Sequence, residues 1–244
     1  MKAVILAAGR GTRMRHLTRN QPKPMIDVGK QSILESILTS IRDAGISHFI
    51  VVTGYFANLI EDHFGDGARF GMNIRYVRQA VQDGTGSALH LVKDAVGDED
   101  FFMSFGDIMT SLENYPRMIH GFQESPGDMA LSVKWVDDPS RGAAVYVDDS
   151  GRVTQIIEKP EPGTSTSHWN NAGLFVFTPV IFDYTARLTK SPRGEYELTE
   201  AIGRMVDDGR MVRAIELSGV WGDMGTPEDV EWMAKLLADR GGRL

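Results

Sequence analysis

Lys2-Ala3-Val4-Ile5-Leu6-Ala7-Ala8-Gly9-Arg10-Gly11-Thr12-Arg13 follows the initial Met1. The apolar run to Leu6, closed by Ala7-Ala8-Gly9, reads as a buried strand feeding a glycine-rich loop. After a long basic loop, Ile33, Leu34, Ile37, Leu38 and Ile41 recur at helical spacing, with Ser32 and Glu35 forming a capping box and Gly45 stopping the run. Phe49–Thr53 then reads as a second buried strand, Phe56–Phe64 as a helix and Ile74–Val77 as a strand. Thr85–Val96 reads as a helix after Gly84, and Phe101–Phe105 as a strand ending in Gly106-Asp107. Strands alternating with helices imply βαβ units with right-handed crossovers, hence a doubly wound, mainly parallel α/β sheet.

Beyond about residue 128 the pattern turns strand-rich, in Met129–Val136, Ala143–Val147, Val153–Glu158 and Gly173–Phe177. This predicts an antiparallel elaboration on the same sheet, completed by helices near 179–188, 197–207 and 227–239. We expect one domain over 1–244, with halves at 1–127 and 128–225 and a C-terminal helix in 226–244. Pro160–Ser167, rich in turn residues, is the expected mobile loop.

The composition narrows the class. A chain of 244 residues, 42% apolar and 24% charged, is globular, which excludes collagen, coiled coil and wholesale disorder. At this size about 70 to 75% of the unfolded surface is buried, so no disulfide or structural metal is needed. The absence of cysteine excludes disulfides, thiolate–zinc and Fe–S sites and a cysteine nucleophile. His16, His48, His63, His90, His120 and His168 contain no close pair and give no zinc motif. The opening apolar run is too short for a signal core or a membrane span, so a cytoplasmic protein without a membrane partner is expected. Residues 1–30 carry seven basic side chains against the single acid Asp27, a local excess of +6 that leaves −13 on the rest of a chain of net charge −7. That balance argues against nucleic acid and suits a small polyanion such as a nucleoside triphosphate; a solvated basic loop is the plain alternative.

Glycines after a strand let backbone N–H groups approach a phosphate chain, while Arg13 and Lys23, the latter in Gln21-Pro22-Lys23-Pro24-Met25, supply charge. Two familiar loops do not fit. A dinucleotide fingerprint needs glycine where Met14 stands, and a Walker loop ending at Gly29-Lys30 needs glycine at Pro24 and a hydroxyl at Gln31. The string from Leu6 through Arg13 with Pro22-Lys23-Pro24 instead resembles the sugar-1-phosphate nucleotidylyltransferase family, the NDP-sugar pyrophosphorylases. It is similar in particular to glucose-1-phosphate thymidylyl- and uridylyltransferases, with His16 departing from the proline of many members.

Four further stretches match that family in order: Gln79 with Gly84-Thr85-Gly86, Phe105-Gly106-Asp107, Glu158-Lys159-Pro160 with Asn171-Ala172-Gly173, and Trp221-Gly222-Asp223-Met224-Gly225-Thr226-Pro227. Each also has a structural reading. Asp107 is able to cap a segment, Gln79 is an ordinary polar residue, and Asn171 is a turn former. Gly225-Thr226-Pro227 starts a helix whatever the function. Glu158 and Lys159, adjacent in a strand, point to opposite faces, so by pattern at most one enters a site.

The resemblance implies a Rossmann-like, GT-A-like nucleotidyltransferase fold and transfer from a nucleoside triphosphate to a sugar 1-phosphate, with Mg²⁺ as cofactor. It implies that Leu6, Ala7, Ala8, Gly9, Gly11, Thr12, Arg13 and Lys23 meet the triphosphate, and that Gln79, Gly84 and Thr85 meet the base. Gly142, Glu158, Lys159, Asn171 and Gly173 then meet the sugar phosphate, and Asp107 and Asp223 hold the metal. Arg13, Lys23 and Asp107 are the implied catalytic residues. Ala7-Ala8 and the Gln79/Gly84 pair favour UTP or dTTP. A cytidylyltransferase acting on phosphocholine or glucose 1-phosphate, or a catalytically silent nucleotide-sugar sensor, stand as alternatives. With Leu244 as the last residue, the left-handed β-helix of the family's bifunctional acetyltransferase members is not expected. The stripe Val230, Met233, Ala234 and Leu237 serves a homo-oligomer or a monomer's core equally well.

Overall fold

The computed structural model describes residues 1–242 and 244. The chain forms two compact units that interleave along the sequence, residues 1–82, 104–116 and 218–244 in the first and 83–103 and 117–217 in the second.

In the first unit, strands β1 (Lys2–Leu6), β2 (His48–Thr53) and β3 (Asn73–Arg78) run parallel, with Val4 opposite Ile50 and Val51 opposite Tyr76. Helix α1 (Ile33–Asp43) joins β1 to β2 and buries Ile33, Leu34, Ile37, Leu38 and Ile41, the stripe read from its spacing. Ser32 caps it by accepting from Glu35 N–H, but the Glu35 carboxylate turns to Gln31 and His63, so the expected box is only half formed. Helix α2 (Ala57–Phe64) joins β2 to β3.

The run expected as one helix over Thr85–Val96 is two: α3 (Thr85–His90) and α4 (Lys93–Val96). Val92, at φ −93° and ψ 1°, breaks the repeat while Val92 and Val96 stay buried. Next come β4 (Phe101–Phe105), β5 (Ile108–Thr110) and helix α5 (Asn114–Glu124), the last unanticipated by the periodicity.

The second unit holds the strand-rich elaboration: β6 (Met129–Trp135), β7 (Ala143–Val147), β8 (Val153–Glu158) and β9 (Trp169–Phe177). The pairs β6/β9, β7/β8 and β7/β9 are antiparallel, as expected. Helices α6 (Ile181–Thr185) and α7 (Leu198–Asp207) precede β10 (Val212–Glu216), which lies parallel to β6. Back in the first unit, β11 (Trp221–Asp223) pairs antiparallel with β5, and α8 (Pro227–Asp239) follows. Among the described residues no helix is long and apolar enough to cross a membrane.

Candidate active site

The first unit gathers its charged candidates through backbone geometry. Gly11, at φ +60°, opens a 3-10 turn over Thr12–Thr18, and a Cβ there would lie 2.8 Å from Lys23 Cβ. Only glycine satisfies both the left-handed backbone and this close approach. Met14, fully buried, anchors the turn, while Arg15 takes φ 53° and ψ −116°, a strained conformation for a side-chain-bearing residue. Lys23 begins a second short turn after Pro22 and is 7% exposed.

The N–H of Gly106 donates to Leu6 O at 2.9 Å, fixing the turn that carries Asp107 to the end of β1. Pairing of β5 with β11 sets Asp223 opposite Ile108, and Met224 N–H donates to Asp107 O at 2.9 Å. Two carboxylates more than a hundred residues apart thereby meet one ammonium: Lys23 Nζ is 2.6 Å from Asp107 Oδ2 and 3.6 Å from Asp223 Oδ1. Asp223 Oδ1 is buried and has no hydrogen-bond partner. Burial, and then the Asp107 charge, push the Asp223 carboxyl above its ordinary value, against the pull of Lys23 and Arg13. Arg13 Nη1 would lie 3.4 Å from a Cβ on Gly225, beside the Asp229 carboxylate. Thr226 caps α8 in a complete capping box with Asp229, so the helix-start reading of Gly225-Thr226-Pro227 holds.

Two carboxylates sharing one cation, one of them with an orphaned oxygen, fit Mg²⁺. That ion takes hard oxygen ligands and is commonly bound by one or two carboxylates, with water and substrate phosphates completing the set. Among the described residues no cluster of three or more His, Cys, Asp or Glu is arranged for a metal, so Asp107 and Asp223 would be the protein's share.

Gln79, also in the first unit, follows β3 and is 5% exposed; its N–H donates to Thr53 O at 2.8 Å.

Gly84 and Thr85 belong to the second unit. Gly84, at φ +131°, has the Tyr196 backbone where a Cβ would stand, and Tyr196 N–H donates to Asp83 O at 2.8 Å. Thr85 Oγ1 accepts from Leu198 N–H at 3.1 Å, so the hydroxyl serves the first turn of α7. Segment 191–199, thus held, presents Arg193, Glu197 and Thr199 to Glu158. Arg193 Nη1 is 3.2 Å from Glu158 Oε1, and Thr199 Oγ1 donates to Glu158 Oε2 at 3.0 Å. Glu197, 6% exposed, accepts from Ser191 Oγ at 3.1 Å and lies 3.4 Å from Arg193; burial first, then Glu158, raise its pKa. Sequence reading missed these residues. The available signal was a cation two and four positions before acids in a Pro/Gly turn, Pro192-Arg193-Gly194-Glu195-Tyr196-Glu197.

The opposite-faces expectation for Glu158 and Lys159 fails. Strand β8 ends at Glu158, and Lys159 turns to φ 42° with its N–H donating to Gly142 O at 2.8 Å. Alternation ends with the strand, so Lys159 Nζ comes within 3.9 Å of Glu158 Oε1. Asn171 and Gly173 occupy an irregularity of β9 between the pairs Leu131↔Phe175 and Val133↔Asn171, where Asn171 Oδ1 accepts from Gly173 N–H at 3.1 Å. Asn171 thus sits at a bulge within the strand and not at a turn.

The family model described as Nucleotidyl transferase matches residues 2–240. Over 94% of its length the chain is 38% identical to the UTP–glucose-1-phosphate uridylyltransferase AglF of Haloferax volcanii, covering 93% of that protein. It is 35% identical, over 94% of its length, to the low-salt glycan biosynthesis nucleotidyltransferase Agl11 of the same organism, and spans 64% of that longer relative. A crystal structure from Bacillus anthracis, titled as a putative glucose-1-phosphate thymidylyltransferase in complex with a sucrose, superposes with a TM-score of 0.88 at 27% identity, covering 98% of this chain and 96% of that one. The mixed α/β, Rossmann-like architecture expected from the sequence is the one these likenesses carry.

Proposed function

Because the chain belongs to the nucleotidyl transferase family, we propose that it transfers a nucleotidyl group from UTP or dTTP to a sugar 1-phosphate of the glucose 1-phosphate type, releasing pyrophosphate. The observation that carries this reading is the Lys23–Asp107–Asp223 cluster beside Arg13. The names borne by AglF and by the Bacillus anthracis structure support the choice of substrates.

The reaction needs little covalent help. A phosphate oxygen of the sugar 1-phosphate, already ionised at neutral pH, attacks the α-phosphorus. The bond to the bridging oxygen of the β-phosphate breaks, and pyrophosphate leaves with the electron pair. No general base is required, so positioning and charge neutralisation dominate. Arg13 neutralises the departing pyrophosphate, and Lys23 holds the phosphates at the reacting centre. The loop from Leu6 through Thr12 wraps the triphosphate, offering backbone N–H groups beyond Ala7, whose own N–H is taken by Val52 O. Gln79, Gly84 and Thr85 serve the base. Lys159 holds the sugar phosphate, with Gly142, Glu158, Asn171 and Gly173 serving the sugar. Asp107 and Asp223 would hold Mg²⁺, which when bound supplies positive charge to phosphate oxygens.

The test is pyrophosphate release from UTP, dTTP, CTP, GTP and ATP crossed with glucose, mannose, galactose, N-acetylglucosamine and N-acetylmuramic acid 1-phosphates and phosphocholine, with Mg²⁺ and then EDTA. We expect metal-dependent release with UTP or dTTP and glucose 1-phosphate. Release with CTP and phosphocholine, or silence across the panel with triphosphate still bound, overturns the assignment.

A further inference from the structure

The chain around Gln79 is clamped on both sides of one residue. Its N–H donates to Thr53 O at 2.8 Å, and its carbonyl accepts from the Gln82 side-chain amide, also at 2.8 Å. The strand end before it is locked as well. Thr53 Oγ1 donates to Glu61 Oε1 at 2.8 Å, and Arg78, the residue before Gln79, donates through Nε to the same carboxylate at 2.9 Å. Gln82 meets a second neighbour. A Cβ on Gly54 would lie 2.9 Å from Gln82 Nε2 and 2.7 Å from Ala8 O, closer than real Cβ atoms come to backbone. Ala8 O is itself fixed by Tyr55 N–H at 3.1 Å, and Ala7 N–H donates to Val52 O at 2.9 Å. The bare face of Gly54 is thus where the amide of Gln82 and the glycine-loop residue Ala8 both rest.

We propose that Gln82 is a positioning residue for base selection: by closing the 79–82 turn onto Gly54 it fixes where the Gln79 side chain stands relative to the Ala7-Ala8 segment. The inference rests on the reading above, in which Gln79 serves the base and residues 6–13 the triphosphate. A side-chain amide discriminates between bases only if its donor and acceptor are held in place, and a misplacement of about 1 Å costs up to about 100-fold. Without the Gln82 donor, the bond that ties position 82 back to the Gln79 carbonyl is lost and the turn gains freedom. Arg13 and Lys23, which serve the transfer itself, hang on other backbone. The loss therefore falls on triphosphate recognition and spares the chemical step.

The experiment compares Gln82→Met, which roughly keeps the side-chain volume and removes the amide that donates to Gln79 O, with Gln79→Ala and wild type. Kinetics with UTP, dTTP and CTP are measured alongside Tm. For Gln82→Met we expect KM for the preferred triphosphate to rise about tenfold and the kcat/KM ratio between preferred and disfavoured bases to fall about tenfold, with kcat within about threefold and KM for the sugar 1-phosphate unchanged. A selectivity ratio that stays at the wild-type value in Gln82→Met while Gln79→Ala lowers it overturns the proposal, whether or not Tm falls. If Gln79→Ala also keeps the wild-type ratio, the assignment of Gln79 to the base is what fails, and the role of Gln82 falls with it.

Discussion

Both units build a cluster of acids around a buried or half-buried cation, and the two clusters are finished differently. In the second unit every carboxylate at the centre has donors: Glu158 takes Arg193 and Thr199, one on each oxygen, and Glu197 takes Ser191 and Arg193. In the first unit Lys23 is close to Asp107 but more distant from Asp223, whose buried Oδ1 has no hydrogen-bond partner. A buried acceptor left unmade costs stability and is retained where something else is to bind. The closed cluster organises the fold around Glu158. The open one holds capacity for a cation and for phosphate.

The open cluster is therefore broken through turnover and the closed one through stability. Lys23→Ala and Asp107→Ala each remove charge stabilisation that matters at the reacting centre. Their turnover should fall by about 10²- to 10³-fold, equivalent to about 3 to 4 kcal/mol, with circular dichroism confirming the fold. Near-normal turnover in either variant removes the assignment. Next in size is Arg193→Ala, which strips the guanidinium from Glu158 and from nearly buried Glu197. A loss of about 1 to 3 kcal/mol follows, lowering Tm by several degrees, and Glu197→Gln in the same chain should recover part of it. An unchanged Tm would mean that the second cluster is no more closed than the first.

Much of this contrast was legible where the information is local. The stripe of α1, the bounds of β7 and β8, and the Thr226-Pro227 start of α8 follow from periodicity and capping chemistry carried within a few residues. Helix α5 was hidden because Pro116 and Gly121 interrupt a sparse apolar set, Tyr115, Met118 and Phe122. Its first residue is held instead by side-chain bonds, Asn114 Nδ2 donating to Thr110 Oγ1, four residues back, at 2.7 Å and to distant Ser218 O at 2.8 Å. Strand β10 was hidden by Arg213 and Glu216. Motif resemblance named Lys23, Asp107 and Asp223, but their meeting depends on the β5/β11 pairing, two strands of three residues that no local pattern announces. Arg193 and Glu197 were illegible for the same reason: their partner Glu158 lies more than thirty residues away.

The smallest effect separates the clusters most sharply, because its sign is unusual for the loss of a charged group. Burial and Asp107 raise the Asp223 carboxyl above its ordinary 3.8, so the folded chain holds that proton more tightly than the unfolded one. The contribution to stability is intact below the unfolded carboxylate value and is lost as pH rises through the folded one. At neutral pH the ionised group is therefore a cost. Asp223→Asn is neutral throughout and should melt higher than wild type at pH 8, with the gap shrinking toward pH 4. Because the side chain is 41% exposed, solvent screening limits the gain to about 0.5 to 1 kcal/mol, or about 1 to 4 °C in Tm. The same variant should lose activity and gain less Tm from added Mg²⁺ than wild type does. A variant that is less stable than wild type at pH 8 would show that the Lys23–Asp223 attraction outweighs the cost of burial, and the open cluster would then be as well satisfied as the closed one.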